Sequence, residues 1–433
     1  MRHHARGART ASGARTARGA RTARGARTAR GAGLLAAGTA FASLALAACA
    51  APAPDATPSP TPTGVAGKPT AIVAMGDSYI SGEGGRWEGN GAPMPTDRTC
   101  GRYPAGACPG YDGAKNSDPA QYRAWEQQIH RVYLPPSYQD GCDRSDTAEI
   151  MSNAIPVDQK INIACSGAVT ADIIPTAQGG QPQKGEAPQA DQLAQIAKTY
   201  DIKMIVLSIG GNDLGFASVL SSCMEDFDLR TGDCESAQRA AVNARMPQTM
   251  AGVERAIDTI RGGMSAAGYP VGSYQLIYQS YLSPIAAPAV NAIPETPQAR
   301  VVAGCPIDNQ DERWVTGTLV PQILDMQRQV AEDSDVVLLD LEHAGAGHEV
   351  CNKLAQKVTS ATQRVNPANV EWFRAVQLSP KQGDIREFMH PNAIMQRGFG
   401  RCLELLYESS PAGSTDKHCA NTSGKAWTGM TVS

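Results

Sequence analysis

The sequence predicts an α/β domain, a parallel sheet with helices on both faces, on three observations. Four short apolar runs, Ala71–Met75, Lys203–Ile209, Tyr274–Gln279 and Asp335–Leu341, lack the polar alternation of half-exposed strands and read as strands buried on both sides. Helical patterns lie between them, notably Pro188–Tyr200, Pro247–Met264 and Trp314–Ala331. Strands that alternate with helices imply parallel pairing through right-handed crossovers. Third, the first two runs end in glycine turns, Gly76-Asp77-Ser78 and Gly210-Gly211-Asn212-Asp213, at the strand ends where open sheets of this kind carry their working groups.

Residues 1–48 read as a segment outside the fold. Positions 2–30 hold nine arginines and no acid, with Arg-Thr-Ala-Arg-Gly-Ala written three times from Arg15 to Ala32. The apolar stretch Leu34–Ala48 that follows is too short for a comfortable membrane span. A basic region, a short apolar region and the small residues of Leu46-Ala47-Ala48-Cys49 describe a secretory signal. The cysteine directly after Leu-Ala-Ala resembles a bacterial lipobox, which implies cleavage before Cys49, diacylglyceryl modification of its thiol and attachment to a membrane. The arginine repeat has two readings, a segment for nucleic acid or anionic lipid and an over-long signal or a start codon placed too far upstream. An adjacent Arg-Arg pair, which a twin-arginine signal needs, is absent from it.

Residues 49–69 are rich in Pro, Ala and Thr and read as an extended tether. The whole chain holds 39 basic and 42 acidic residues. Without the nine arginines of the signal, 30 basic residues face the 42 acidic ones, a net of −12 that argues against nucleic acid as a partner. The folded domain is expected over 70–410, closing with a helix over Ile394–Tyr407, and 411–433 as a C-terminal tail. Of eleven cysteines, Cys49 belongs to the lipobox, leaving an even ten. In an exported chain that count suggests disulfides. Neighbours in sequence suggest Cys100–Cys108, Cys142–Cys165, Cys223–Cys234, Cys305–Cys351 and Cys402–Cys419. Paired Cys-x-x-Cys ligands for zinc are absent, and no metal is expected. Two long insertions, Gly85–Asn162 and Ser280–Trp314, read either as lids or binding loops or as loops packed under disulfides. The first carries Trp87, Tyr103, Tyr111, Tyr122, Trp125 and Tyr133.

Nucleophilic cleavage of an acyl bond needs an activated hydroxyl, a base and donors for the developing oxyanion. Ser78 is placed to be the nucleophile; it is equally placed to cap a helix. His3 and His4 leave with the signal, His130 lies in the first insertion and His418 in the tail. His343 and His348, in Glu-His-Ala-Gly-Ala-Gly-His-Glu, are five apart across two glycines, which is not metal-ligand spacing. That leaves His390, followed by Pro391-Asn392 and a helix. Asn212 and the small-residue turn Ala164-Cys165-Ser166-Gly167-Ala168 are candidate oxyanion donors, and each also reads as an ordinary loop.

Gly76-Asp77-Ser78, Gly167 after Cys165-Ser166, Gly210-Gly211-Asn212-Asp213 and His390-Pro391 match, in order, the four motif blocks of the SGNH (GDSL-like) hydrolases. Gly-Asp-Ser-Tyr-x-Ser-Gly-Glu-Gly together with Ala-Cys-Ser-Gly-Ala resembles the secreted actinobacterial lipase and esterase branch. The resemblance implies a three-layer, flavodoxin-like α/β/α sandwich on a parallel sheet, a single domain with disulfide-tied insertions. It implies Ser78 as nucleophile and His390 as general base and then acid. The Ser78 amide, the Gly167 amide and the Asn212 carboxamide would form the oxyanion hole, with no cofactor. The family often places an Asp three residues before the histidine; here Glu387 stands there, with Asp384 as an outside candidate. Some members use a backbone carbonyl instead. The Gly-x-Ser-x-Gly elbow of the α/β-hydrolases is not met at Ser78, because Ile80 holds its last position.

The sequence is thus read as a monomeric serine esterase or lipase acting on a small-molecule or lipid ester, either secreted or held by lipid on the outer face of the cell membrane. A carbohydrate O-acetylesterase and a non-catalytic surface-binding lipoprotein are the rival readings.

Overall fold

Seven strands form one sheet in the order β2-β1-β3-β4-β5-β6-β7. They are β1 (Thr70–Gly76), β2 (Gln159–Asn162), β3 (Asp201–Ser208), β4 (Gln275–Gln279), β5 (Val337–His343), β6 (Asp416–Ala420) and β7 (Thr431–Val432). A computed structural model describes residues 67–90, 133, 137–229, 232–358, 365–376, 385–409, 411 and 415–433. The signal, Cys49, most of the tether, Cys100, Cys108, His130 and Asp384 lie outside the described residues.

Strands β1 to β6 are parallel to their neighbours, and β7 alone runs antiparallel, against β6. The first five follow the doubly wound order 2-1-3-4-5, in which the strand order reverses at β1 and β3, the point beyond whose carboxyl ends sheets of this order carry their binding sites. Side chains of β1 alternate across it: Ile72 and Ala74 join one apolar layer, and Ala71, Val73 and Met75 the other. The first layer includes Ile394, Phe399 and Leu403 of the helix Ala393–Ser409. The second includes Val253, Ile257 and Ile260 of the helix Cys234–Ala266. The result is the three-layer α/β/α sandwich. Each buried aliphatic side chain of these layers contributes about 1.5–3 kcal/mol.

Departures from the sequence reading have physical causes. β2 and β6, Gln-Lys-Ile-Asn and Asp-Lys-His-Cys-Ala, are largely polar because they lie towards the margins of the sheet, where a continuous apolar run is not needed. The stretch 411–433, read as a tail beyond the domain, therefore carries two strands of the sheet, and Leu338, Leu339 and Asp340 pair with Asp416, Lys417 and His418. The helix expected over Pro247–Met264 runs Cys234–Ala266; Pro247 lies inside it, and Asp233 caps its start by accepting from the Ser236 amide. Four disulfides join Cys142–Cys165, Cys223–Cys234, Cys305–Cys351 and Cys402–Cys419. No helix among the described residues is long and apolar enough to cross a membrane.

Candidate active site

β1 ends at Gly76, whose φ is 131°, and a Cβ there would lie 1.9 Å from the Ser208 carbonyl oxygen on β3. Only glycine allows so close an approach. The chain then turns into the short helix Ser78–Ser81, capped by Asp77, whose Oδ1 accepts from the Tyr79 amide at 3.1 Å. Asp77, not Ser78, is thus the cap. The Ser78 hydroxyl is left for His390, whose Nε2 lies 2.8 Å from Ser78 Oγ.

The loop that carries His390 is strapped on several sides. The Met389 amide donates to the Arg374 carbonyl at 2.7 Å, and the Arg374 amide to the His390 carbonyl at 2.9 Å. Tyr79, next to the nucleophile, donates its hydroxyl to the Met389 carbonyl at 3.1 Å. These bonds hold Met389 at φ 61°, a left-handed conformation that a non-glycine residue adopts only at a cost. Gly84 permits the contact from the other side, since a Cβ there would meet the His390 Cβ at 3.2 Å and the Glu387 carbonyl oxygen at 3.3 Å. After Pro391, Asn392 caps the helix Ala393–Ser409, its Oδ1 accepting from the Ile394 amide at 2.9 Å.

His390 Nδ1 faces the Phe388 carbonyl oxygen at 3.0 Å. A carbonyl can only accept, so the proton sits on Nδ1 and Nε2 presents its lone pair to Ser78. Burial lowers the imidazole pKa to about 4, against the Phe388 carbonyl and the Glu387 charge, which both raise it. The ring is therefore neutral near pH 7, as a base must be.

Glu387, expected as the group that orients the imidazole, is corrected by this geometry. Its carboxylate accepts from Arg86 Nε at 2.5 Å and Nη2 at 3.0 Å, from Trp87 Nε1 at 2.8 Å and from the Tyr133 hydroxyl at 2.6 Å. Burial would raise its pKa, but the Arg86 charge and hydrogen bonds, with Arg374 and Tyr133, bring it down to about 2. Trp87 lies between two guanidiniums, 4.8 Å from Arg86 and 4.1 Å from Arg374. The Glu387 carboxylate thus anchors the loop and acts on the imidazole through its charge, while the Glu387 carbonyl accepts from the His390 amide at 3.3 Å. The group that Nδ1 faces is the Phe388 carbonyl and not the Glu387 carboxylate three residues before the histidine.

The two candidate oxyanion turns meet. The Cys165 amide donates to the Gly76 carbonyl at 2.9 Å and the Ser166 amide to the Cys142 carbonyl at 3.1 Å, so the Cys142–Cys165 bridge holds this turn at the end of β1. Gly167 follows at φ 79°. Asn212, in the short helix Gly211–Leu214 after β3, donates one N–H to the Ala168 carbonyl at 2.9 Å, leaving its second for another acceptor. Asp213 accepts from the Thr170 hydroxyl at 2.6 Å, a further tie between the two turns. Ser78, as the first residue of its helix, has an amide without an intrahelical acceptor.

Two residues were not singled out from the sequence. Tyr281, just beyond β4, donates its hydroxyl to Asp77 Oδ2 and accepts from the Gly211 amide at 3.2 Å. It joins the nucleophile turn to the Asn212 turn, and its position past a strand's carboxyl end was the available signal. Burial raises the Asp77 pKa to about 7. The other is Glu83, within the nucleophile's own motif block. Its Oε2 accepts from Ser166 Oγ at 2.5 Å and lies 3.8 Å from His390 Nε2.

Two other histidines, His348 and His418, are engaged elsewhere. His348 stacks on Trp372 with centroids 3.8 Å apart, and its Nδ1 faces the Val370 carbonyl at 2.7 Å. His418 joins Asp340 and Asp416 in a group where Arg328 already pairs with both carboxylates.

No family model matches the chain, and no curated protein matches it either. Among solved structures it is similar to the extracellular lipase from Streptomyces rimosus, at 18% identity over 77% of this chain and 98% of that one, with a TM-score of 0.42. It is similar to phospholipase A1 from Streptomyces albidoflavus at 20% identity over 80% of this chain and 100% of that one, with a TM-score of 0.38. An aryl esterase from M. smegmatis matches at 13% identity, 79% and 100% coverage and a TM-score of 0.30.

Proposed function

We propose that this chain is a serine hydrolase of carboxylic esters of the SGNH type, working through Ser78 and His390 as a dyad. The observation that carries the reading is the 2.8 Å approach of a neutral imidazole nitrogen, its partner nitrogen turned to the Phe388 carbonyl, to the hydroxyl on the β1 turn. Ser78 Oγ attacks the ester carbonyl while its proton passes to His390 Nε2. The Ser78 amide, the Gly167 amide and the Asn212 carboxamide receive the oxyanion. His390 then gives the proton to the departing alkoxide, leaving an acyl-serine. Water, deprotonated by His390, releases the acid and returns Ser78. A backbone carbonyl suffices to hold the imidazole, because the tautomer and ring orientation are what the third group supplies.

Export supports the reading from another side, since four disulfides suit an oxidising compartment. Lipid attachment at Cys49 is part of the proposal, and the mass of the mature N-terminus tests it: an unmodified start at another residue removes it. The reaction is tested with p-nitrophenyl esters from acetyl to palmitoyl, comparing residues 50–433 with Ser78→Ala. Activity lost in Ser78→Ala is the expected result, and the chain-length profile separates acetylesterase from lipase. Undiminished activity in the variant removes Ser78 as nucleophile.

A further inference from the structure

Glu83 lies five residues past the nucleophile and is 1% exposed. One carboxyl oxygen accepts from Ser166 Oγ and lies 3.8 Å from His390 Nε2; the other, Oε1, has no hydrogen-bond partner among the described residues. A buried carboxyl oxygen without a donor is costly unless the group is protonated or its charge has a use. The groups that face it come from four segments. Ser166 comes from the Gly167 turn. Arg386, Glu387 and His390 come from the histidine loop. Asp143 and Lys184 come from the segments packed beside them. The cations have other partners. Lys184 Nζ donates to the Gly141 and Ser166 carbonyls at 2.5 and 2.6 Å, and Arg386, 43% exposed, meets Asp143 at 3.3 Å. Asp143, itself 2% exposed, has no hydrogen-bond donor on either carboxyl oxygen among the described residues.

We propose that Glu83 is a positioning residue of the catalytic centre, a buried carboxyl that sets the charge beside His390 Nε2 and, when ionised, favours the imidazolium formed as Ser78 gives up its proton. This rests on the reading of Ser78 and His390 as the reacting pair. At 3.8 Å the carboxylate acts through space, and the Ser78 proton goes to Nε2 and not to Glu83. Burial raises the Glu83 pKa to about 8 against the Ser166 bond and the Arg386 and Lys184 charges, while Glu387 raises it further. Asp143 is raised to about 8 as well, by burial first and then by Glu83, so the two carboxyls titrate as a pair in two macroscopic steps. The sign follows. Below this range Glu83 is neutral and His390 a weak base. As pH rises through it, the new negative charge strengthens the base and the acylation rate rises.

The test is a pH titration of the His390 ring by NMR in the full chain, run beside kcat/KM for p-nitrophenyl acetate, on the wild type, Glu83→Gln and Ser166→Ala. The wild-type ring signals should show an inflection near pH 8, apart from the ring's own titration near pH 4. Over the same range kcat/KM should rise roughly tenfold. Glu83→Gln should remove both. Ser166→Ala, which takes a donor from the carboxylate, should move the inflection upward and keeps the test decisive if Glu83→Gln does not fold. An inflection that survives Glu83→Gln, or none in the wild type, overturns the proposal. If Ser78→Ala hydrolyses the ester as fast as the wild type, the reading of the reaction fails instead, and the ring titration still judges Glu83 by itself.

Discussion

Two buried glutamates flank His390, and the chain treats them in opposite ways. Glu387 accepts four hydrogen bonds from Arg86, Trp87 and Tyr133 and is held ionised, with a pKa of about 2. Glu83 accepts one bond, from Ser166, and is pushed up to about 8. The same side chain, equally buried, becomes a fixed charge on one side of the imidazole and a titrating one on the other. The difference lies in the donors, not in depth, because burial alone disfavours the charge in both cases. The matched carboxylate holds the loop in place; the unmatched one lies nearest the nitrogen that exchanges a proton.

The largest effect should come from breaking the matched side. Glu387→Gln removes the carboxylate that pairs with Arg86, and removing one partner of a buried ion pair costs about 3–5 kcal/mol. Urea denaturation should show that loss for Glu387→Gln, while Glu83→Gln should unfold at the same midpoint as the wild type or above it. Equal losses in the two variants would erase the contrast.

Stability against pH sharpens the comparison. Glu387, with a folded pKa below the ordinary 4.5, contributes stability that is present above pH 4.5 and lost as pH falls through about 2. Glu83, Asp143 and Glu149 do the reverse. Their folded pKa values are raised to about 8, so their contribution is present below the ordinary carboxylate range and lost as pH rises through 8. Glu149 is a clean case: Gln279 donates to its Oε2 at 3.0 Å, while its Oε1 and the Gln279 Oε1 both lack hydrogen-bond partners among the described residues, an arrangement that suits a protonated acid. The melting temperature should fall between pH 7 and 9, and Glu149→Gln should remove part of that fall, on the order of 1–2 kcal/mol. A fall of the same size in the variant would show that Glu149 is not its source.

The smallest effect should come from Tyr281→Phe, which removes one hydroxyl between Asp77 and the Gly211 amide. The expected loss is about 1 kcal/mol of stability and a drop in kcat with KM little changed, since the Asn212 turn shifts relative to Ser78. A change confined to KM would place Tyr281 in substrate binding instead.

Strands β1, β3, β4 and β5 were legible because both their faces are buried and their residues are correspondingly apolar. β6 was not, because ladder bonds to β5 and the Cys402–Cys419 bridge hold a segment whose side chains are mostly polar. In the site, Ser78, Gly167, Asn212 and His390 stood out because each occupies a turn with distinctive chemistry. The helix-cap alternative for Ser78 was open until Asp77 proved to be the cap. Glu387 misled because distance along the chain stood in for distance in space, and the turn at Met389 brings the Phe388 carbonyl to Nδ1 instead. Arg86 and Glu387 are 301 residues apart, and local pattern holds no trace of such a pairing.

The indole of Trp87, between two guanidiniums and bonded to Glu387, is also an optical probe built into the wall of the histidine loop. At 1% exposure it emits from a water-free setting. Any motion that parts Glu387 from Arg86 delivers solvent to that ring, and its emission moves to longer wavelength. The chain holds five tryptophans, so a variant that keeps Trp87 alone would let its fluorescence follow the seating of His390 during turnover, with no label attached.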